Sequence, residues 1–227
     1  MSILERAIGV IAPLECLSCG LEGNALCEDC QTRLSAYGPR CYLCGALSEG
    51  SKTCERCYRL GSLRYVWVAT EYHGLAKQLI RNYKFGHQRA AAAALAGRMI
   101  ATMQTYGQIP EKYIVVGVPT ASRRLRQRGF DHARELARQV AIRLNLPWVE
   151  VLGRLGQTQQ VGTNRAQRAR QLEGQFWLRR PRLVESCCIL LVDDVVTTGA
   201  TLHQAARVLR VGGAKRVDGL VFSKKIL

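Results

Sequence analysis

Two patterns of apolar residues alternate along most of the chain. Short, mainly apolar runs are typical of strands that are covered on both faces of a sheet. These runs lie at residues 113–119, 148–151, 189–192 and 216–222. Apolar residues at helical spacing mark residues 133–144 and 202–209, and also residues 75–103, which are predicted to form a helix pair or a bent helix broken near Gly86. Alternating strands and helices predict an α/β fold with a parallel, doubly wound sheet.

The amino-terminal segment has a different pattern. Apolar residues between 3 and 11 recur at helical spacing and predict a short amphipathic helix that packs on the segment after it or on a partner, with a membrane anchor as the less favoured alternative. Glu5, Arg6 and Pro13 interrupt this apolar start, so we expect no signal peptide. No apolar run is long enough to span a bilayer, and we expect a cytoplasmic protein. The composition predicts a small module at residues 1–61 and an α/β domain at residues 62–227.

Cysteines are concentrated in the small module as four Cys-x-x-Cys pairs. The pairs are Cys16 and Cys19, Cys27 and Cys30, Cys41 and Cys44, and Cys54 and Cys57. Each pair can place two thiolates on one tetrahedral ion, so eight cysteines predict two structural Zn²⁺ sites. A disulfide framework is the first alternative, and it needs an oxidising compartment. Redox catalysis is a weaker alternative. Sequential and interleaved pairing both remain open, although the short loops favour the sequential scheme. Cys187 and Cys188 are assigned no chemistry.

Two acids and a threonine-rich loop follow the strand predicted at residues 189–192. Asp193 and Asp194 can accept hydrogen bonds from vicinal ribose hydroxyls or hold a hydrated metal ion. The loop supplies small side chains, hydroxyl groups and a glycine, so its backbone N–H groups can converge on a phosphate at the start of the next helix. The loop residues are Thr197, Thr198, Gly199, Ala200 and Thr201. This region predicts a sugar-phosphate site.

Charge divides the chain into two unequal parts. Residues 1–61 have a net charge of −1, whereas residues 62–227 have a net charge of +17. Between residues 123 and 182 there are 14 arginines and four acids. The planar guanidinium group suits phosphate recognition, and a single sugar phosphate cannot use so many arginines. We therefore expect a nucleic-acid strand or another polyanion as a second ligand.

The segment at residues 189–201 resembles the fingerprint of the type I phosphoribosyltransferases, which bind phosphoribosyl pyrophosphate (PRPP). Every position matches the family pattern of four apolar residues, two acids, two apolar residues and a Thr/Ser-Thr-Gly-x-Thr loop. The resemblance implies that Asp193 and Asp194 bind the ribose hydroxyls, with Mg²⁺ accompanying PRPP. It also implies that the loop binds the 5′-phosphate.

Residues 118–131 resemble the signature of the competence protein F and GntX-like family, whose members also carry an amino-terminal cysteine module. The resemblance implies that a pyrophosphate loop consists of Pro119, Thr120, Ala121, Ser122, Arg123 and Arg124. It implies that a flexible loop or DNA contact includes Arg126, Arg128, Thr158, Gln160, Arg165 and Arg168. Many members have His-Pro at positions 121–122 and Asn-Gln at 131–132, where this chain has Ala-Ser and Asp-His.

The two resemblances imply a PRPP-binding, phosphoribosyltransferase-like protein that acts in the uptake or use of DNA. If it is an enzyme, a nucleophile displaces pyrophosphate from the ribose. The alternative is a non-catalytic module that binds single-stranded DNA, and a link to gluconate use is a remote third interpretation. Single-stranded DNA and proteins of DNA uptake or processing are the expected partners. A hood over the site is expected from residues 63–70 and from the region around Phe176.

Overall fold

A four-stranded parallel sheet forms the centre of the molecule. The computed structural model describes residues 14–58, 63–85, 91–107, 112–121, 125, 130–155 and 175–226. In chain order the strands are β1 (Val66–Glu71), β2 (Tyr113–Gly117), β3 (Leu152–Arg154), β4 (Phe176–Leu178), β5 (Cys188–Val196) and β6 (Arg216–Lys224). The central sheet has the order β1-β6-β5-β2, whereas β3 and β4 form a separate antiparallel pair.

The described part of the chain contains six α-helices, of which the first two lie in the cysteine-rich segment before β1. They are α1 (Glu28–Thr32), α2 (Glu55–Tyr58), α3 (Gly74–Phe85), α4 (Ala91–Tyr106), α5 (His132–Leu144) and α6 (Ala200–Val211). Short 3-10 turns lie at Glu49–Ser51 and Pro181–Leu183. The helix pair predicted around Gly86 is confirmed as α3 and α4. None of the described helices is long and apolar enough to cross a membrane.

Both faces of the sheet are covered, which confirms the doubly wound parallel fold. Leu190 and Val192 of β5 belong to a core that includes buried residues of α3, α4 and α5. Ile189 and Leu191 point the other way and pack in a second core with Leu202 of α6 and the β3–β4 pair. The apolar run of β5 is therefore buried on both sides, as the unbroken pattern predicts.

Two predictions about strands and loops are wrong. Residues 148–151 do not form a strand, because only a single bridge joins Trp148 to Val115 of β2. Glu150 instead forms an ion pair with Arg134 of α5 at 2.7 Å, and the chain then turns into β3 of the small antiparallel pair. Residues 63–70 were expected to contribute to a hood, but β1 is an edge strand of the central sheet, paired with β6.

The cysteine-rich segment packs against both faces of the sheet. Cys16 and Cys30 are buried in the core on the side of α3, whereas Tyr42 is buried in the core on the side of α6. Backbone bridges join Ala36 to Thr70 and Lys52 to Tyr65. The domain boundary predicted at residues 61 and 62 and the helix predicted at residues 3–11 lie outside the described residues, and both stay predictions.

Candidate functional site

The two acids of the fingerprint lie in the last part of β5, which continues past them to Val196. The backbone N–H of Asp194 donates to Oδ1 of Asp193 at 2.8 Å, which fixes the first carboxylate. Asp194 is 8 % exposed, and its Oδ1 accepts a hydrogen bond from Nζ of Lys84 at 2.7 Å. The acid pair is therefore held in a defined geometry by one backbone donor and one ammonium group.

The electrostatic surroundings of the acid pair shift the pKa of Asp193. Burial and the neighbouring Asp194 carboxylate raise this pKa to about 7, although Lys84 and Arg154 act in the opposite direction. Two carboxylates in close proximity repel each other, and a divalent cation or a hydroxyl donor relieves that repulsion. The pair is chemically suited to either partner.

The loop after β5 turns sharply into α6. Gly199 has a φ of +80°, a left-handed conformation that favours glycine, and it is the N-cap of α6. The hydroxyl oxygen of Thr198 accepts a hydrogen bond from the backbone N–H of Ala200 at 3.4 Å. Nζ of Lys224, a buried residue at the end of β6, donates to the carbonyl oxygen of Thr197. The loop thus presents the N-terminus of a helix at the sheet edge that carries the acids, an arrangement suited to a phosphate.

The cysteine-rich segment forms a wall behind this phosphate loop. A methyl group at position 199 would lie 2.5 Å from Cδ2 of Leu43 and 2.9 Å from Cε2 of Tyr42. Both residues lie between Cys41 and Cys44. The backbone conformation favours glycine at this position, and any larger residue would also require the side chains of Leu43 and Tyr42 to shift.

The loop after β2 lies at the same edge of the sheet, because β2 pairs with β5. Asp131 caps α5 by accepting from the backbone N–H of Arg134 at 3.2 Å. The same carboxylate accepts from the hydroxyl of Thr120 at 2.9 Å and from the Thr120 N–H at 3.3 Å. Asp131, one of the two departures from the family pattern at 131–132, therefore fixes the predicted pyrophosphate loop to its helix.

The structure describes only part of the loops that the resemblance assigned. Pro119, Thr120 and Ala121 lie beside the acid-bearing strand, and the Pro119 carbonyl accepts a hydrogen bond from Arg154 at 3.4 Å. The other predicted loop residues lie outside the described part of the chain, and their roles stay predictions. They are Ser122, Arg123, Arg124, Arg126, Arg128, Thr158, Gln160, Arg165 and Arg168.

The eight cysteines of the Cys-x-x-Cys pairs form two clusters. In each cluster all four sulfur atoms lie within 4.8 Å of one another. The first cysteine cluster contains Cys16, Cys19, Cys27 and Cys30, and the second cysteine cluster contains Cys41, Cys44, Cys54 and Cys57. The pairing is sequential, which decides between the two schemes that the sequence left open.

The geometry of both clusters fits a tetrahedral zinc ion. The Sγ atoms of Cys19 and Cys27 are 3.6 Å apart, as are those of Cys44 and Cys54. Zn–S bonds of about 2.3 Å at tetrahedral angles place sulfur atoms about 3.8 Å apart. Burial raises the pKa of the Cys16 thiol, but hydrogen bonds from the backbone N–H groups of nearby residues outweigh it and lower this pKa to about 6. Both clusters can hold a zinc ion.

Three cationic residues of the site were not predicted from the sequence. Lys84 contacts Asp194, and Lys224 contacts Thr197. Arg154 acts electrostatically on Asp193 and packs over the ring of Phe176 at 5.0 Å. Lys84 is the next-to-last residue of α3, and Lys224 is the last residue of β6. Both elements end at the edge of the sheet that carries the site. A cation at such a position is the one local signal that could have indicated them.

Residues 90–225 match the phosphoribosyl transferase domain family. The chain is 31% identical over 203 residues to the DNA utilization protein YhgH of Salmonella typhimurium, covering 85% of this chain and 87% of that protein. It is 28% identical over 194 residues to competence protein ComFC of Bacillus subtilis, covering 81% and 77%. It is 27% identical over 205 residues to competence protein F of Haemophilus influenzae, covering 86% and 88%. The chain therefore belongs to the phosphoribosyl transferase domain family and, within it, to the group of the DNA utilization and competence F proteins.

Proposed function

We propose that this protein binds PRPP together with Mg²⁺ at the edge formed by β5 and α6, and that it acts in the uptake or use of DNA. The family match supports the sugar-phosphate ligand. The names of the relatives, a DNA utilization protein and two competence proteins, support the role in DNA handling.

The observation that carries the PRPP proposal is the position of the acid pair beside the phosphate loop. Asp193 and Asp194 offer carboxylates for ribose hydroxyls or a cation, and the start of α6 offers N–H groups for a 5′-phosphate. Lys84 and Arg154 add positive charge at the same place. The acid pair suits hydroxyl groups, the start of α6 suits a phosphate, and the two cations suit a diphosphate. A phosphorylated sugar can use all three, whereas a simple anion cannot.

Bound in this way, PRPP could react by displacement of pyrophosphate from the ribose. Mg²⁺ would neutralise charge on the diphosphate, which makes it a better leaving group. The chain's own residues would hold the 5′-phosphate at Thr197 to Thr201 and orient the ribose through Asp193 and Asp194. The nucleophile that accepts the phosphoribosyl group would approach the ribose from the side opposite the departing pyrophosphate, and therefore away from the pyrophosphate loop after β2.

We further propose that each cysteine cluster holds one structural Zn²⁺. Four thiol ligands leave no open coordination position, which is typical of structural sites. The second cluster lies directly behind the phosphate loop, so its zinc ion would stabilise the wall formed by Tyr42 and Leu43.

The proposed contact with DNA is electrostatic and involves single-stranded DNA. The carboxyl-terminal part of the chain has a net charge of +17, and seven arginines at or between residues 134 and 182 lie in the described part of the chain. Because cations that bind phosphates release counterions, affinity for DNA would fall steeply as the salt concentration rises. Proteins of DNA uptake or processing are the partners that this role implies.

The test is calorimetry with PRPP and Mg²⁺ on zinc-loaded protein, comparing the wild type with the double variant Asp193→Asn, Asp194→Asn. We expect the wild type to bind and the variant to lose binding, because amides cannot supply the negative charge that Mg²⁺ requires. A control with Glu15→Gln and Glu22→Gln removes the same charge from exposed positions and should bind like the wild type.

Single-stranded DNA binding is measured on the same proteins. We expect the Asp193→Asn, Asp194→Asn variant to keep an affinity for DNA close to that of the wild type, because DNA binding would depend on arginines elsewhere. Joint loss of both ligands would indicate one shared site. If neither the wild type nor the variant binds PRPP, the proposed sugar-phosphate function is wrong, and the remaining interpretation is a DNA-binding module.

A further inference from the structure

An ammonium group occupies the position beside Asp194 where a cation accompanying the ligand would be expected. Nζ of Lys84 lies 2.7 Å from Oδ1 of Asp194, and the two side chains are only 17% and 11% exposed. A pair this shielded from solvent interacts more strongly than an ion pair on the surface. The contact joins residues 110 positions apart in the sequence, so it depends on the tertiary fold and not on local chain geometry.

The backbone that carries Lys84 is clamped to the start of α5. Nε2 of the His132 ring donates to the carbonyl oxygen of Lys84 at 3.0 Å. In return, the hydroxyl of Tyr83 donates to the carbonyl oxygen of His132 at 2.9 Å, and the two rings pack edge to face with centroids 5.1 Å apart. The end of α3 is therefore fixed beside the loop after β2, and any movement of the ammonium has to come from its four-carbon side chain.

Both acids have cationic neighbours before any ligand binds. Asp193 and Asp194 supply two carboxylates, while Lys84 and Arg154 are the cations that act on them. A divalent cation is attracted by uncompensated negative charge and by free carboxylate oxygens. As long as the ammonium stays on Asp194, the site has little uncompensated negative charge and few free carboxylate oxygens for such a cation.

A phosphorylated ligand would change this balance. Its diphosphate brings several negative charges and gives the ammonium an alternative partner within reach of a flexible side chain. If the ammonium moves to that diphosphate, Asp194 becomes available to the metal ion. The cation and the sugar diphosphate would then strengthen each other's binding by the same factor, as linkage requires.

We propose that Lys84 is a resident counter-ion of the acid pair that Mg²⁺ displaces, and that the displaced ammonium binds the diphosphate of the incoming ligand. Lys84 is thereby assigned as a ligand-binding residue that couples metal binding to sugar-phosphate binding. Only the binding of the displaced ammonium to the diphosphate rests on the proposed PRPP function. Displacement of Lys84 by the metal ion can be measured without PRPP.

The experiment compares wild type, Lys84→Met and Lys84→Arg by calorimetry with Mg²⁺ alone, PRPP alone and the two together. Methionine keeps much of the apolar side chain and removes the charge. We expect Lys84→Met to bind Mg²⁺ alone about tenfold more tightly, because one nearby positive charge is gone. We expect it to bind PRPP with Mg²⁺ about tenfold more weakly, because a charged contact with the diphosphate is lost. Lys84→Arg should retain the coupling.

A matched control is Lys77→Met, which removes a charge from an exposed position on the same helix and should change neither affinity. If Lys84→Met and the wild type bind Mg²⁺ alone equally well, the counter-ion role is overturned. Loss of both Mg²⁺ and PRPP binding would also overturn it, since the lysine would then only support the site's structure. If Lys84→Met does not fold, Lys84→Gln provides the same comparison.

The two proposals can fail separately. Tighter Mg²⁺ binding by Lys84→Met without PRPP binding by any variant would retain the counter-ion role and reject the PRPP function. PRPP binding by the wild type, together with unchanged Mg²⁺ affinity in Lys84→Met, would retain the PRPP function and reject the counter-ion role.

Discussion

The two cysteine clusters are nearly identical in local structure. In the first, the N–H of Gly20 donates to the carbonyl of Cys16 at 2.9 Å, and in the second the N–H of Gly45 donates to that of Cys41 at 2.8 Å. Both glycines have nearly the same left-handed conformation, with φ values of +76° and +77°. Sequence and backbone geometry therefore predict the same metal chemistry for both clusters.

The surroundings of the two clusters differ. Next to the first cluster, the carbonyl of Leu17 accepts a hydrogen bond from Asn82 and that of Ser18 accepts one from Gln78, both of helix α3. Next to the second cluster, Tyr42 and Leu43 pack against Gly199 of the phosphate loop. Each cluster thus lies on a different face of the central sheet.

This difference shows that equivalent metal sites can have unequal importance for function. The first cluster supports a helix, and among the described residues its link to the site is indirect, through Lys84 at the end of that helix. The second cluster directly contacts the loop that is proposed to hold the phosphate. We therefore expect damage to the second cluster to weaken ligand binding and damage to the first to affect mainly stability.

The largest effect is expected from Gly199→Ala compared with Gly20→Ala. Both positions have a left-handed φ, +80° and +76°, but a methyl group at position 20 would meet nothing within 4 Å. Backbone strain of ~1–2 kcal/mol is common to both variants. The clash with Leu43 and Tyr42 adds ~1–3 kcal/mol at position 199 only, because tightly packed neighbours must move.

PRPP binding by calorimetry and thermal unfolding separate these contributions. We expect Gly199→Ala to bind PRPP about 100-fold more weakly, since a shift of the loop misplaces its N–H groups and each 1.4 kcal/mol is tenfold. Gly20→Ala should lose stability while keeping its affinity for PRPP. Equal loss of affinity in both variants would show that the wall behind the loop has no role.

A second comparison removes one ligand from each cluster. Cys19 and Cys44 are the exposed members of their clusters, and each precedes a left-handed glycine, so Cys19→Ser and Cys44→Ser are matched variants. Because zinc binding is coupled to folding, each should release about one equivalent of zinc. We expect PRPP affinity to fall about tenfold in Cys44→Ser and to change less than about threefold in Cys19→Ser.

Zinc content by metal analysis and PRPP affinity by calorimetry are measured on the same samples. A larger loss of affinity in Cys19→Ser would reverse the comparison and would place the functional link in α3 and Lys84. If both variants retain two zinc ions, the assignment of these thiols as ligands is wrong.

Local sequence patterns were sufficient for much of this molecule. The unbroken apolar run before Asp193 predicts a buried strand, and the threonine-rich loop predicts a helix start; both depend on residues close in sequence. The spacing of the cysteines predicts two metal sites for the same reason. The apolar residues from Val66 to Ala69 also fit a buried strand, and they do form part of β1. We nevertheless predicted a hood from residues 63–70, and that prediction was wrong.

The contacts that complete the site depend on residues far apart in the sequence. Lys84 meets Asp194 because α3 ends beside the edge of β5, and Leu43 meets Gly199 because the second cluster packs against α6. Neither contact produces a periodic pattern or a short motif. A cation at a helix end can suggest that Lys84 belongs to the site, but its partner Asp194, like the partner of Leu43, can be identified only after the topology and the packing are known.

The smallest effect is expected from Leu43→Ala, with Leu21→Ala as an exposed leucine control next to the first cluster. Leu43 is partly buried against the second core, whereas Leu21 is 58% exposed. Removing a partly buried leucine side chain should reduce the free energy of unfolding by ~1–2 kcal/mol, and removing an exposed one should have almost no effect.

Leu43→Ala leaves both zinc sites and Gly199 intact, so it tests the wall behind the loop alone. We expect PRPP affinity to fall about threefold, because the loop gains freedom that binding must then remove. Leu21→Ala should bind like the wild type. If Leu43→Ala lowers stability without changing PRPP affinity, the packing of the second cluster stabilises the fold but does not position the phosphate loop. A Cys44→Ser effect on affinity would then point to Tyr42, whose ring also lies close to Gly199.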